Sequence, residues 1–270
     1  MATLKIAIAG ASGRMGRALV EEVLRAPELA LAAALEQKGN PGVGKDAGEL
    51  VGSPCGVKIG DDARAIPGGA VLIDFTRPDG TVAHIAACRK QGTNMVIGTT
   101  GFSDAQKKEI AAAARGDIAI VMSPNFSVGV NVAFRLLDLA ARSLGKGYDV
   151  EISEAHHRHK VDAPSGTALR MGEVVAHALG RDLKRDAIYG REGVTGERNE
   201  NTIGFATVRG GDLVGEHSVM FIGTGERLEI AHRATSRANF AHGALRAARW
   251  VAQKKNGLYD MADVLGFAKG

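Results

Sequence analysis

Short apolar runs alternate with amphipathic segments over the first 126 residues of the 270-residue chain. The runs are nearly continuous in apolar residues, which is typical of strands that are covered on both faces of a sheet. Repeated strand–helix–strand order predicts right-handed crossovers and a doubly wound parallel sheet of the Rossmann type, an α/β fold. The predicted strands are Leu4–Ala9, Leu29–Leu35, Val71–Phe75, Asn94–Gly98 and Ile118–Met122, and the predicted helices are Arg14–Arg25, Gly80–Gln91 and Asp104–Arg115.

The pattern changes after residue 126. Glycine-containing turns separate the last three predicted strands, which indicates a meander and therefore a mostly antiparallel sheet in a second, α+β domain. A final helix, Ala238–Gln253, carries an apolar face that can pack back on the first domain. We therefore expect one domain of residues 1–126 plus 240–270 and a second of residues 127–239. The other predicted elements of this part are Val128–Leu144, Asp149–Glu154, Thr167–Leu179, Ile203–Arg209, Gly215–Ile222 and Arg227–Ala234.

Composition and charge narrow the possible function classes. Hydrophobic residues make up 45% of the chain and charged residues 24%, which is ordinary for a globular protein. The net charge is +4, but Lys and Arg are scattered, so no nucleic-acid partner is expected. No apolar stretch approaches the ~20 residues that span a bilayer, and MATLKIAIAG lacks the features of a secretory signal. We expect a cytoplasmic protein with no membrane partner and a small anionic ligand.

A glycine-rich loop follows the first predicted strand and opens the first helix. Glycine lets the backbone turn tightly towards a pyrophosphate, and the amides at the helix start face the phosphate oxygens. Glu36 ends the second strand, 20 residues past Gly16, where a carboxylate can accept hydrogen bonds from a ribose. The spacing GxxGxxG departs from GxGxxG, so a turn without a ligand stays open as an alternative. The predicted dinucleotide contacts here are Gly10, Ala11, Ser12, Gly13, Arg14, Met15 and Glu36.

The sequence around Glu36 allows either NADH or NADPH. The carboxylate disfavours the 2′-phosphate of NADPH, whereas Arg14 and Lys38 lie near enough in sequence to attract it. Two further loops follow predicted strands at the sheet edge where such folds bind ligands. Each of them alone could be an ordinary turn, but together they extend the predicted cofactor site. Their residues are Gly98, Thr99, Thr100, Ser123, Pro124, Asn125 and Phe126.

Three histidines and a lysine lie within five residues, His156 to Lys160, directly after a predicted strand. A solvated basic loop, a metal site and nucleic-acid contacts are the alternatives to a catalytic role. Arg158 and Lys160 among the imidazoles argue against a metal, and no suitable Cys or carboxylate completes a ligand set, so no metal is expected. Histidine can donate a proton near neutral pH, which would balance a hydride delivered by a nicotinamide.

A predicted anion site follows this loop. Pro164 precedes Ser165, Gly166 and Thr167, and a helix begins among them with Ser165 or Thr167 as its cap. A helix N-terminus that contains glycine offers free amides to a carboxylate. A cationic, imidazole-rich loop beside such amides suits the reduction of a small acidic molecule.

At these residues the chain resembles the 4-hydroxy-tetrahydrodipicolinate reductase (dihydrodipicolinate reductase) family. The blocks GASGRMGR, ALE, DFTRP, VIGTTGF, NFSVGVN, EAHHRHKVDAPSGTAL and RGGDLVGEH follow one another in the family's order. The resemblance implies that His156 is a proton donor, that Lys160 is a second one, and that the cofactor is NADH or NADPH. It also implies that His157 and the segment Ser165, Gly166 and Thr167 bind a dicarboxylate, and that the chain forms a homotetramer.

The implied reaction is reduction of the cyclic 4-hydroxy dicarboxylate to tetrahydrodipicolinate, with loss of water, in lysine biosynthesis through diaminopimelate. One departure is Gln37, where many members have Arg beside the 2′-phosphate, so the resemblance does not fix NADPH preference.

The resemblance also implies a role for each domain: dinucleotide binding for residues 1–126 plus 240–270, and substrate binding and oligomerisation for residues 127–239. The alternatives are another small NAD(P)-dependent dehydrogenase, acting on aspartate or homoserine, and a dinucleotide-sensing regulator without turnover.

Overall fold

The computed structural model describes residues 3–267. The chain divides into two compact units, one formed by the residues up to Val128 with those from Arg237 onward, the other by Gly129–Ser236. The strands are β1 (Leu4–Ala9), β2 (Leu29–Leu35), β3 (Ile59–Gly60), β4 (Val71–Asp74), β5 (Asn94–Ile97), β6 (Ala119–Met122), β7 (Asp149–His156), β8 (Ala187–Ile188), β9 (Ile203–Arg209), β10 (Gly215–Ile222), β11 (Arg227–Ala234) and β12 (Gly257–Tyr259). The α-helices are α1 (Arg14–Arg25), α2 (Pro78–Gln91), α3 (Asp104–Gly116), α4 (Val128–Leu144), α5 (Gly166–Leu179), α6 (Leu183–Asp186), α7 (Ala238–Val251) and α8 (Met261–Leu265).

The first unit is built on a seven-stranded sheet in the order β12-β6-β5-β4-β1-β2-β3, and all its strand pairs are parallel. Alternate residues of β1 enter two separate cores. Ile6 and Ile8 pack in a cluster with residues of α1 and α7, whereas Ala7 and Ala9 pack in a cluster with residues of α2 and α3. The sheet is therefore covered on both faces, and the predicted doubly wound α/β fold is confirmed.

Helix α7 packs against the first sheet, as its apolar face predicted. Ala241, Ala244 and Ala248 are buried in the same cluster as Ile6 and Ile8. The approach is close at Gly243, where an added Cβ would lie 1.7 Å from the carbonyl oxygen of Phe126. The small side chains of α7 thus let the helix reach the loop that follows β6.

The second unit has a five-stranded sheet in the order β11-β10-β7-β9-β8. Strand β10 pairs antiparallel with β7 and β11, but β9 runs parallel to both β7 and β8, so the sheet is mixed. The predicted three-strand meander is wrong, because β7 lies between β9 and β10. The amide of Gly210 donates to the carbonyl of His156, and the amide of His157 donates to the carbonyl of Leu213. The glycine turn after β9 therefore crosses the end of β7 instead of closing a hairpin.

One face of the second sheet packs against α4 and α5. Along β7 the even-numbered residues from Val150 to His156 are buried, and the odd-numbered residues are partly exposed. The core contains Val150, Ile152 and Phe221 from the sheet, together with Leu137 from α4 and Met171 from α5. This alternation turns the side chains of Glu154 and His156 towards the helix-covered side. No helix within residues 3–267 is long and apolar enough to cross a membrane.

Candidate active site

The glycine loop of the first unit has the backbone geometry of a phosphate cradle. Gly10 has φ +71°, and the amides of Gly10 and Ala11 donate to the carbonyl of Leu35 at 2.8 and 3.0 Å. A Cβ on Gly16 would lie 2.0 Å from the carbonyl oxygen of Gly10, so only glycine lets α1 pack this closely. The N-cap residue of α1, Gly13, makes no side-chain capping bond, and the first turn holds no acidic residue. These features fit a dinucleotide, whose pyrophosphate would meet open amides and the positive end of the helix dipole.

Glu36 lies beside this loop, as predicted. Its Oε1 accepts a hydrogen bond from the Ser12 amide at 3.0 Å, and its Oε2 accepts one from Asn40 Nδ2 at 3.1 Å. The carboxylate is thus oriented from two sides. Asn40 was not identified from the sequence, although an Asn four residues after the carboxylate, in a glycine-rich turn, was a usable signal. Gln37 and Lys38 are exposed next to it.

The loops after β4, β5 and β6 meet at the carboxyl edge of the first sheet. The Phe75 and Phe126 rings are in edge-to-face contact at 5.5 Å between centroids, and a Cβ on Gly98 would lie 2.1 Å from the Phe75 ring. Ser123 Oγ donates to the Asn125 carbonyl at 2.9 Å, which closes the loop after β6. Thr100 and Pro124 are exposed at this edge. The predicted cofactor residues of the loops after β5 and β6 therefore lie on either side of Phe75, in the loop after β4, within this unit.

Asp74 is a buried residue that hydrogen-bonds to two of these loops, at Thr76 and Thr99. It was not predicted as a site residue. It is fully buried at the end of β4. Its Oδ1 accepts from the Thr76 amide at 2.9 Å and from the Thr99 hydroxyl at 3.4 Å, and its Oδ2 faces His84 Nδ1 at 2.8 Å. Thr81 donates to Thr99 at 2.9 Å. Burial alone would raise the pKa of Asp74, but the hydrogen bonds from His84 and Thr76 outweigh it and lower that pKa.

In the second unit, His156 ends β7 and is held by Glu154. The two side chains point to the same face because they are two residues apart on a strand. His156 Nδ1 and Glu154 Oε2 are 2.6 Å apart, and both side chains are almost completely buried. Burial lowers the pKa of His156, and the hydrogen bond and charge of Glu154 partly oppose that effect.

The same carboxylate also holds the start of α5. Ser165 is the N-cap residue of that helix: its Oγ accepts from the Ala168 amide at 3.2 Å, and its own amide donates to Glu154 Oε1 at 3.0 Å. Of the two predicted caps, Ser165 and Thr167, Ser165 is the one that caps the helix. His217 Nε2 lies 2.9 Å from Ser165 Oγ, and burial lowers the pKa of His217 to about 4, so this imidazole is neutral at physiological pH.

The loop from His157 to Lys160 lies over the turn that follows β9. The amide of Arg158 donates to the carbonyl of Gly211 at 3.2 Å, and the amide of Lys160 donates to the carbonyl of His157 at 3.1 Å. Lys160 Nζ pairs with Asp162 at 2.8 Å. Gly166 and Thr167 form the first turn of α5, next to Ser165. The predicted proton-transfer and substrate residues thus occupy one end of the second unit.

Sequence patterns did not identify Glu154, Arg209 and His217 as functional residues. Arg209 Nη1 and Nη2 each lie 2.8 Å from a different oxygen of Glu154, so the two side chains form a bidentate ion pair at a buried carboxylate. The sequence did contain a signal for His217. It lies two and four residues before Val219 and Phe221 on β10, and this spacing of two places all three side chains on the buried face of the strand. Within the described part of the chain, no cluster of three or more His, Cys, Asp or Glu side chains could hold a metal ion.

Comparison with known proteins identifies the family. Residues 4–126 match the family model for the N-terminus of dihydrodipicolinate reductase, and residues 129–265 match the model for its C-terminus. The chain belongs to the dihydrodipicolinate reductase family. The family resemblance predicted from the sequence motifs is therefore confirmed.

Individual relatives agree with this assignment. The 4-hydroxy-tetrahydrodipicolinate reductase of Nitrosospira multiformis is 65% identical over 98% of this chain and 99% of its own length. The enzyme of that name from Cupriavidus necator is 63% identical over 97% of this chain and 99% of its own. Among solved structures, the dipicolinate-bound dihydrodipicolinate reductase from Paenisporosarcina sp. TG-14 is 26% identical, with a TM-score of 0.75 over 97% of this chain and 99% of that one.

Proposed function

We propose that this member of the dihydrodipicolinate reductase family reduces 4-hydroxy-tetrahydrodipicolinate to tetrahydrodipicolinate, with oxidation of NADH or NADPH and release of water. The reaction serves lysine biosynthesis through diaminopimelate. The observation that carries the proposal is the buried His156–Glu154 pair, whose carboxylate also holds the N-cap of α5. A proton donor and a row of helix amides suited to a carboxylate are thereby held by one side chain.

The unit that contains β1 is the proposed dinucleotide-binding domain. A bound dihydronicotinamide supplies the hydride. The loop from Gly10 to Met15 binds the pyrophosphate through the amides at the start of α1, and Glu36 accepts hydrogen bonds from the adenosine ribose. The loops Gly98–Thr100 and Ser123–Phe126 bind the other half of the dinucleotide at the carboxyl edge of the sheet.

The unit that contains β7 is the proposed substrate-binding domain. His156 and Lys160 donate the proton that balances the hydride. The amides of Gly166 and Thr167, with Ser165, bind one substrate carboxylate, and His157 binds the substrate from the imidazole side. A dicarboxylate needs two cationic or amide-lined positions, and this end of the second unit supplies both.

The test is oxidation of NADH and of NADPH followed by absorbance, with the substrate made in place by the preceding synthase from pyruvate and aspartate semialdehyde. We expect oxidation that depends on the synthase product and that occurs with either cofactor. The ratio of the two kcat/KM values measures the consequence of Gln37, which is exposed beside Glu36. Cofactor binding without oxidation would contradict the proposal and would favour a dinucleotide-sensing regulator or another substrate.

We further propose a cytoplasmic homotetramer without nucleic-acid or membrane partners. The cytoplasm suits an enzyme that consumes NAD(P)H and a small dicarboxylate. The surface of the second sheet supports the proposal of self-association. The face turned away from α4 and α5 carries apolar residues that are at least partly exposed, such as Met220, Ile222 and Val208.

A further inference from the structure

Glu154 is a buried carboxylate of the second unit that contacts His156, Ser165 and Arg209. Its side chain is 1% exposed, yet it is a carboxylate on the core-facing side of β7. His156 Nδ1 and Arg209 Nη1 contact Oε2 at 2.6 and 2.8 Å. The Ser165 amide and Arg209 Nη2 contact Oε1 at 3.0 and 2.8 Å. Each oxygen therefore serves a different part of the site.

A buried charge of this kind is costly unless it is paired and hydrogen-bonded. Arg209 meets that need with two parallel contacts, and the Ser165 amide and His156 satisfy further acceptor positions. Burial would raise the pKa of Glu154, but the hydrogen bonds of Arg209 and His156 outweigh burial and lower that pKa. The contacts with Arg209, His156 and the Ser165 amide thus stabilise the charged form of this carboxyl group.

We propose that Glu154 is a positioning residue for the reduction: one carboxylate oxygen fixes the tautomer of His156, and the other fixes the start of helix α5. The inference rests on the proposed function for its kinetic part. It adds to that function a physical link between proton donation and carboxylate binding. The link is the carboxylate of Glu154, whose charge Arg209 stabilises.

The first half of this role concerns His156. A carboxylate only accepts hydrogen bonds, so the contact with Glu154 requires the imidazole to carry its hydrogen on Nδ1. Nε2 is then the nitrogen that exchanges a proton with the substrate. A Cβ on Gly215 would lie 2.9 Å from His156 Nε2, so glycine at this position leaves room beside that nitrogen.

The second half concerns the helix start. The amides of the first turn of a helix have no partners within the helix. Ser165 Oγ accepts a hydrogen bond from the Ala168 amide, and Glu154 Oε1 accepts one from the amide of Ser165 itself. His217 holds Ser165 Oγ from the other side at 2.9 Å. The amides of the first turn at Gly166 and Thr167 are therefore presented at a position that Glu154 and His217 determine.

Two variants separate charge from length. Glu154→Gln keeps the side-chain length and an acceptor for the Ser165 amide, but it removes the charge and can present an N–H to His156. We expect kcat to fall by roughly 10²-fold, the usual contribution of a positioned general acid. The affinity for dipicolinate, measured by calorimetry, should stay close to that of the wild type.

The pH profile reports on the tautomer and charge of His156. Lys160, Arg209 and His217 also face this imidazole, and all three are retained in the variant. Because Glu154 raises the pKa of His156 against burial, its neutralisation lowers that pKa further. The rate falls where the donor loses its proton, so the alkaline limb of kcat should move to lower pH in Glu154→Gln.

Glu154→Asp gives the complementary result. The charge remains, so the alkaline limb should stay near its wild-type position. The shorter side chain cannot reach His156 and the Ser165 amide together, so we expect dipicolinate to bind several-fold more weakly. Glu151→Gln is the matched control, because Glu151 lies on the same strand and is also paired with arginine, here Arg191 and Arg198, on the opposite face. Its kcat, pH profile and dipicolinate affinity should match those of the wild type.

NADH affinity reports on the first unit and should be unchanged in all three variants. A wild-type pH profile and kcat in Glu154→Gln would overturn the inference. Equal losses of kcat, dipicolinate affinity and NADH affinity in both Glu154 variants would also overturn it, since they would indicate only a structural role. If the wild-type protein binds dipicolinate but oxidises no cofactor, the proposed function fails, while the dipicolinate affinities of Glu154→Gln and Glu154→Asp still test the helix part separately.

Discussion

At the scale of single residues, Gly16 leaves less room for a side chain than the other two glycines of the loop, Gly10 and Gly13. Gly16 lies in α1 and has no positive φ, so its role is steric: an added Cβ would lie 2.0 Å from the carbonyl oxygen of Gly10 and 2.7 Å from Ala11 Cα. Backbone atoms cannot turn aside as the end of a flexible side chain can. A methyl group here must move α1 away from the loop whose amides are proposed to hold the pyrophosphate.

We therefore expect Gly16→Ala to weaken NADH binding at least tenfold, which corresponds to about 1.4 kcal/mol. Fluorescence titration of NADH measures the effect. Gly116→Ala is the control, because it also lies in a helix of this unit and an added Cβ would meet nothing within 4 Å. Wild-type NADH affinity in Gly16→Ala would mean that the contact of α1 with Gly10 does not shape the cofactor site.

At the scale of elements, Asp74 joins the end of β4, helix α2 and the loop that follows β5. Its carboxylate accepts hydrogen bonds from Thr76 and Thr99 and contacts His84 on α2. Removing one partner of a buried polar network leaves other groups unsatisfied, which typically costs 1–3 kcal/mol for each group. The loops at residues 75–77 and 98–101 should lose their common support when this charge is removed.

Asp74→Asn should consequently weaken NADH about tenfold while leaving the affinity for ADP-ribose unchanged. ADP-ribose is expected to engage the glycine loop and Glu36, whereas the loop at 98–100, which Asp74 supports through Thr99, is proposed to bind the nicotinamide half. Calorimetry with both ligands measures the difference. Asp79→Asn, at an exposed position in the first turn of α2, serves as control. Equal losses for NADH and ADP-ribose would contradict the local role and would indicate general destabilisation of the unit.

At the scale of the whole molecule, the first unit was more predictable than the second. Its strands are buried on both faces, so their apolar runs are nearly uninterrupted, and the bounds of β1, β2 and α1 agree with prediction. Short elements such as β3, β8 and β12 were missed because two or three residues carry no periodic pattern. The meander failed because alternation along β9 and β10 predicts strands but does not say which strands are neighbours.

The residues of the candidate site also differ in how far the sequence could predict them. Local motifs predicted Glu36 beside the glycine loop and a helix cap at Ser165 or Thr167, because loops and caps are determined over a few residues. Arg209 and His217 are far from His156 in sequence, and only the pairing of β9 and β10 with β7 brings them together. Residues that act through such long-range contacts have no spacing that a sequence motif could reveal.

The proposed tetramer is tested at Ala231. This exposed residue of β11 lies opposite Ser218 of β10, whose side chain is turned away from the helices of the unit. Val208 of β9, on the same face of the sheet, is 55% exposed, so this face combines apolar and polar groups as protein interfaces do. Ala231→Arg places a charge on a long side chain at this surface, and burial of an unpaired charge opposes association.

Sedimentation analysis should give the wild-type protein a mass of four times the 28.1 kDa chain, and Ala231→Arg a smaller assembly. Ala112→Arg is the control, because Ala112 is an exposed alanine of α3 in the other unit and should leave the mass unchanged. NADH affinity should be equal in all three proteins, since the residues proposed to bind the cofactor lie in the first unit. A wild-type monomer at the concentrations that support turnover would contradict the tetramer, and an unchanged mass in Ala231→Arg would place the interface on another surface.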